Sequence, residues 1–159
     1  MRKLLIIMIC LCFAALFAHA QDDLGGLMPE TVGDYERTQL VTGKAAQDEV
    51  DKLHGKPLPA EASVVARYAK QDAKAEVWVS RVESEREARR QLGVMVHMMY
   101  ENPHSPFKNP SRVDHNEVAV YRFTGMGQAH LTWYSGDLVY WISVNPEDQG
   151  VMLDAFCRP

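Results

Sequence analysis

Residues 117–144 hold three short runs, Glu117 to Thr124, Gln128 to Tyr134 and Leu138 to Val144, joined only by Gly125-Met126-Gly127 and Ser135-Gly136-Asp137. Links this short cannot carry the chain from one end of a sheet to the other. Neighbouring runs must therefore turn back on each other as antiparallel strands. This excludes an all-helical chain and an all-parallel α/β sheet. Upstream, Ser63 to Lys70 and Ala75 to Val82 alternate around the polar Gln71-Asp72-Ala73-Lys74 and read as a second hairpin. Asp34 to Val41 reads as one more strand, ended by Thr42-Gly43.

The helices announce themselves by their ends. Ser84-Glu85-Arg86-Glu87 fits a capping box, so a helix is expected from Glu85 to about Tyr100, stopped by Asn102-Pro103. At helical spacing Ala88, Leu92, Met95, Val96 and Met99 form its apolar stripe. Lys44 to Leu53 reads as a shorter helix ended by His54-Gly55, since glycine accepts the left-handed conformation after a helix. Asn145-Pro146-Glu147-Asp148 opens a last one, with asparagine as cap and Val151, Met152, Ala155 and Phe156 on the apolar side. The expected fold is a single α+β domain in the order β-α-β-β-α-β-β-β-α. Helices should pack mainly on one face of a twisted antiparallel sheet. Residues 101–116, with Pro103, Pro106 and Pro110 and no periodicity, read as a long loop, a class that is usually functional.

The first twenty residues set the compartment. Arg2 and Lys3 precede an apolar run, Leu4 to Phe17, and Ala18-His19-Ala20 supplies a small-x-small cleavage site before Gln21. This is the pattern of a secretory signal peptide, too short for a membrane span of about 20 residues. The domain plan is a signal peptide at 1–20, a flexible leader at 21–28 and one domain at 29–159. The processed chain keeps 139 residues, enough for a core, and loss of Arg2 and Lys3 takes the formal charge from −4 to −6. An acidic chain argues against nucleic acid, and no later apolar run suggests membrane insertion. A soluble periplasmic or secreted protein of a Gram-negative bacterium is expected. With Cys10 and Cys12 removed, only Cys157 remains. One cysteine makes no internal disulfide, Cys-x-x-Cys redox pair or thiolate zinc cluster, and no cofactor is implied.

No nucleophile elbow and no phosphate-binding glycine loop occurs, so the sequence points away from an enzyme. Asp114 and His115 offer the pieces of a small hydrolase, but adjacent strand residues point to opposite faces. His97, Met98 and His104 carry the soft and imidazole donors that copper(I) prefers, which gives a copper-handling alternative. On the helix His97 lies nearly opposite the apolar stripe, so the three converge only with help from the loop. If Gly136-Asp137 is a two-residue turn, Trp133 faces Tyr140 and Leu131 faces Ile142 on the core side. Tyr134 and Trp141 then fall on the other side. Together with Phe107 and His104 of the neighbouring loop they form the expected binding site, an aromatic platform for an envelope protein or a small ligand.

Several short stretches carry a resemblance: Leu27-Met28-Pro29-Glu30 with Gly33-Asp34-Tyr35, Leu53-His54-Gly55-Lys56, Val77-Trp78-Val79-Ser80, and Trp133-Tyr134 with Val139-Tyr140-Trp141-Ile142. In these the chain resembles small exported bacterial proteins of unknown function. The resemblance implies export and an α+β layout, and brings no catalytic residue.

Overall fold

Five two-residue turns set the topology. In the computed structural model, which describes residues 24–158, Gly33-Asp34, Gln71-Asp72, Asn116-Glu117, Met126-Gly127 and Gly136-Asp137 each close a hairpin. Asn116 and Glu117 take φ of 48° and 65°, and Met126 and Gly127 take 54° and 79°. Paired left-handed residues of this kind match the natural twist of a hairpin.

The elements are β1 (Thr31–Val32), β2 (Tyr35–Thr42), α1 (Gly43–His54), β3 (Ala62–Lys70), β4 (Ala73–Arg81), α2 (Glu85–Glu101), β5 (Lys108–His115), β6 (Val118–Gly125), β7 (Gln128–Ser135), β8 (Leu138–Val144) and α3 (Gln149–Phe156). All eight strands join one antiparallel sheet in the order β1-β2-β3-β4-β8-β7-β6-β5. The chain builds inward from one edge to β4. Helix α2 then carries it past the far half of the sheet to the opposite edge, β5. The β5–β8 meander returns to the centre, where β8 docks on β4.

The sheet is apolar on both faces, so it is covered twice. Val64 and Val65 point opposite ways on β3 and both are buried, as is every residue from Ala129 to Trp133 on β7. One face packs Val64, Val77, Val79, Trp133, Tyr140 and Ile142 beneath α3, which contributes Met152, Leu153 and Phe156. Trp133 and Tyr140 stack there with centroids 4.8 Å apart. The other face lies under α1, which rests on β2 and β3, and α2, which rests on β7 and β8. These helices bury Ala46, Val50, Ala88 and Leu92. Of the described helices α1 and α2 share one face and α3 covers the other, because central strands that are apolar on both sides must be shielded on both.

Local ends behave largely as the residues dictate. Gly55 closes α1 at φ 66°, and His54 Nδ1 lies 2.8 Å from the Val50 carbonyl. Ser84 caps α2 by accepting the Glu87 backbone N–H at 3.3 Å. The Glu87 carboxylate turns instead to Arg90 and Gln91, whose hydrogen bonds hold it at a pKa of about 2. Asn145 makes no side-chain cap. A short 3-10 turn, Pro146–Asp148, leads into α3. There Asp148 accepts from Tyr35 at 2.8 Å and from Lys70 at 2.7 Å, pinning α3 to β2 and β3.

Two further expectations change. Residues 101–116 are not all loop, because Lys108–His115 pairs with β6 as an edge strand. From Lys108 to Asp114 both faces of β5 are in water, so no alternation marks it, and Pro110 sits where the register shifts, a place on an edge that tolerates a missing N–H. The stretch expected as a flexible leader enters the core: Leu24 and Met28 are buried, Tyr68 donates to the Pro29 carbonyl at 3.0 Å and Arg37 donates to that of Met28. The two-residue β1 is too short to be legible as a strand. The signal peptide and its cleavage site lie outside the described residues. Among the described residues no helix is long and apolar enough to cross a membrane.

Candidate functional site

The segment after α2 builds its own scaffold before it reaches the sheet. His104 N–H donates to Asn102 Oδ1 at 2.9 Å, Ser105 N–H to the Asn102 carbonyl at 2.9 Å and Phe107 N–H to Ser105 Oγ at 3.1 Å. These Asx- and Ser-type turns are what such short side chains do best outside helices and strands. They aim the Phe107 ring at the α2 side of the sheet. It meets His130 edge-on at 4.8 Å and Trp141 edge-on at 5.2 Å between centroids. Pro106 comes so close to Gly125 that a β-carbon there would lie 2.4 Å from the Pro106 carbonyl oxygen. Glycine is required at 125 by that approach.

Beneath Phe107 runs a chain of hydrogen bonds. His130 Nε2 lies 3.0 Å from the Gly125 carbonyl, which can only accept, so Nε2 carries the proton. Nδ1 then accepts from the Ser143 hydroxyl at 2.9 Å, and Ser143 Oγ accepts the Trp141 indole N–H at 2.9 Å. Burial pushes the His130 imidazole below its ordinary range, partly opposed by the Gly125 bond. The neutral form is the one this chain needs. A serine hydroxyl on a histidine nitrogen is also half of a nucleophile–base pair. Here, however, Ser143 is 8% exposed and already holds the indole, and a peptide carbonyl rather than a carboxylate faces the far nitrogen. The arrangement holds shape; it does not present a nucleophile.

Above this pin the surface carries a shallow, open depression. Its volume of about 510 Å³ lies between the start of β5 and the β6–β7 turn, with Pro106, Lys108 and Asn109 on one side and Thr124, Gly125, Met126 and Gln128 on the other. Asn109, held at φ 52°, donates to Thr124 Oγ1 at 2.8 Å, and Gln128 Nε2 reaches the Lys74 carbonyl at 3.3 Å. Lys108 Nζ donates to the Pro103 carbonyl at 3.1 Å. A lysine has three donors, so Lys108 retains capacity for a ligand. Met126 is 69% exposed at the rim.

Of the residues expected to form the platform, Phe107 and Trp141 come together. Tyr134 sits two pairs further along, opposite Val139, and His104 is exposed and held through its backbone. His97 and Met98 are exposed on α2, and His97 Nε2 lies 3.2 Å from Glu101. Among the described residues no three His, Cys, Asp or Glu side chains are grouped to hold a metal. Asp114 is exposed and paired with Arg112 at 3.0 Å. His115 Nε2 lies 3.0 Å from Asp154 but off the hydrogen-bonding direction, and the two neighbours do not converge on one centre. Cys157 is buried and its thiol is pushed up to about 11 by burial, which keeps it protonated and inert.

His130, Ser143 and Gly125 escape a reading residue by residue. The clue lies in the pairing: Leu131 opposite Ile142 puts His130 opposite Ser143, on the face of Trp141. No family model, curated protein or solved structure matches the chain.

Proposed function

We propose that the protein is an exported, non-enzymatic binding domain, and that its ligand, a segment of an envelope protein or a small molecule, seats in the depression beside the Phe107 loop. The observation that carries this reading is that the walls are fixed before any ligand arrives. Phe107 is wedged on His130 and Trp141, and Gly125 is locked under Pro106. A wall that is already ordered loses little entropy on binding. The lining supplies an ammonium at Lys108, amides at Asn109 and Gln128 and an exposed thioether at Met126. That chemistry suits a polar ligand with one apolar edge. It supplies no base or nucleophile, which is why binding rather than turnover is proposed. Export rests on residues 1–20.

The test is an NMR titration of the purified protein with a fragment library and a library of short peptides. Shifts should cluster on Lys108, Asn109 and Gly125 to Gln128, with the Met126 methyl among the largest. A library with no binder, or clustering around Val94 and Met98 on the exposed side of α2, would overturn the proposal.

A further inference from the structure

Strand β5 ends the sheet, and among the described residues no other strand pairs with its outer edge. Residues Lys108 to Asp114 are all exposed, although the strand pairs with β6 along its whole length apart from the bulge at Pro110. An unpaired edge offers a row of backbone donors and acceptors to any other strand, and proteins commonly guard such edges. Pro110, without an N–H, bounds the usable edge on one side, and the left-handed Asn116-Glu117 turn bounds it on the other. Between them lie Ser111, Arg112, Val113, Asp114 and His115.

These five residues are self-complementary. We propose that two copies of this chain pair edge to edge along β5, antiparallel, about a two-fold axis at Val113. Each Arg112 then stands opposite the partner's Asp114, twice over by symmetry. Val113, 38% exposed in the single chain, meets its own copy, and Ser111 meets the partner's His115. Arg112 and Asp114 already share one face, 3.0 Å apart, so pairing turns two ion pairs into an alternating group of four charges. The register is specified by repulsion as well as attraction. Moving the axis to residue 112 sets arginine against arginine, and moving it to residue 114 sets aspartate against aspartate. The edge thus rejects other alignments of itself while accepting one. This proposal does not depend on the depression or its ligand.

Five residues of ladder make a small interface, and the dimer should be weak. Sedimentation equilibrium of the purified protein over a wide concentration series should show reversible dimerisation. Arg112→Asp alone, or Asp114→Arg alone, places like charges opposite each other in both pairs and should raise the dissociation constant about tenfold or more. The double swap, Arg112→Asp with Asp114→Arg, restores the alternation and should recover the wild-type constant. Because both side chains are exposed, thermal melts of all three variants should match wild type, which separates lost pairing from lost folding. In the chain without residues 1–20, and so without Cys10 and Cys12, a Val113→Cys variant should be linked to its own copy by a short bis-maleimide, since Cys157 is buried and does not compete. A protein monomeric throughout the series, or a dimer unmoved by the single reversals, overturns the proposal.

Discussion

Replacing Phe107 with alanine tests whether the loop after α2 is fixed to the sheet. The ring is half-buried, with one edge-on contact to His130 at 4.8 Å and another to Trp141 at 5.2 Å. A fully buried phenylalanine cut to alanine costs about 3–5 kcal/mol, and aromatic pairs of this geometry contribute roughly 0.5–1.5 kcal/mol. Partial exposure lowers the first figure while the two ring contacts keep it well above zero. A loss of about 2–3 kcal/mol is expected, equivalent to a fall of roughly 5–10 °C in Tm for a domain of this size. Urea unfolding followed by tryptophan fluorescence measures it, with an unchanged denaturant slope showing that the native state stays compact. Gly125→Ala attacks the same pin from the other side, through the 2.4 Å approach to Pro106. If loop and turn are one unit, the two losses will not add. A Phe107→Ala loss below about 0.5 kcal/mol, within the range of ordinary surface changes, would refute the pin and the preformed walls that depend on it.

The His130 contribution to stability should be flat above pH 6.5 and should fall as pH drops below it. The unfolded chain protonates His130 near its ordinary 6.5, whereas the folded chain, where burial lowers the pKa, resists until lower pH. His130→Asn should flatten this part of the pH–stability curve measured by urea titration. Cys157 should ignore a thiol reagent in the native protein and react fully in denaturant, because its thiol is buried and raised to about 11. Leu92→Ala, which opens a cavity under α2, should cost about 2–5 kcal/mol, and loss of the Ser84 cap by Ser84→Ala about 1 kcal/mol, both read from chemical unfolding. Mass spectrometry of protein recovered from the cell envelope should find Gln21 at the N-terminus, and an intact Met1 would refute export with cleavage.

What could be read from the sequence was whatever repeats or ends sharply. The meander was legible because its turns are two residues long, and α2 because Ser84 and Asn102-Pro103 bracket an apolar stripe. Taking Gly136-Asp137 as the turn gave the register of β7 on β8, and with it the separation of Trp133 from Trp141, as the structure has it. Strand β5 was illegible for a physical reason: hydrophobic alternation records a buried face, and β5 has none. The second helix layer was hidden because residues 129–133, buried without interruption, carry no mark of which covering element belongs to which side. Gly125 and His130 depend on contacts made across the fold, Pro106 over the one and Ser143 beside the other. Only assembled strands bring those partners together.

The position of β8 has a kinetic consequence. It is the last strand along the chain and the fifth across the sheet, lying between β4 and β7. Until it arrives, β1–β4 and β5–β7 are two separate ribbons, each with a raw inner border and neither able to close its side of the core. Docking β8 on β4 joins segments nearly sixty residues apart, Ser80 with Val139 for instance, so that closure carries a large loop entropy and belongs late in folding. A chain interrupted before Leu138 would not be a slightly smaller version of this domain. It would be two sticky half-sheets tethered by α2, a species prone to aggregate rather than to wait.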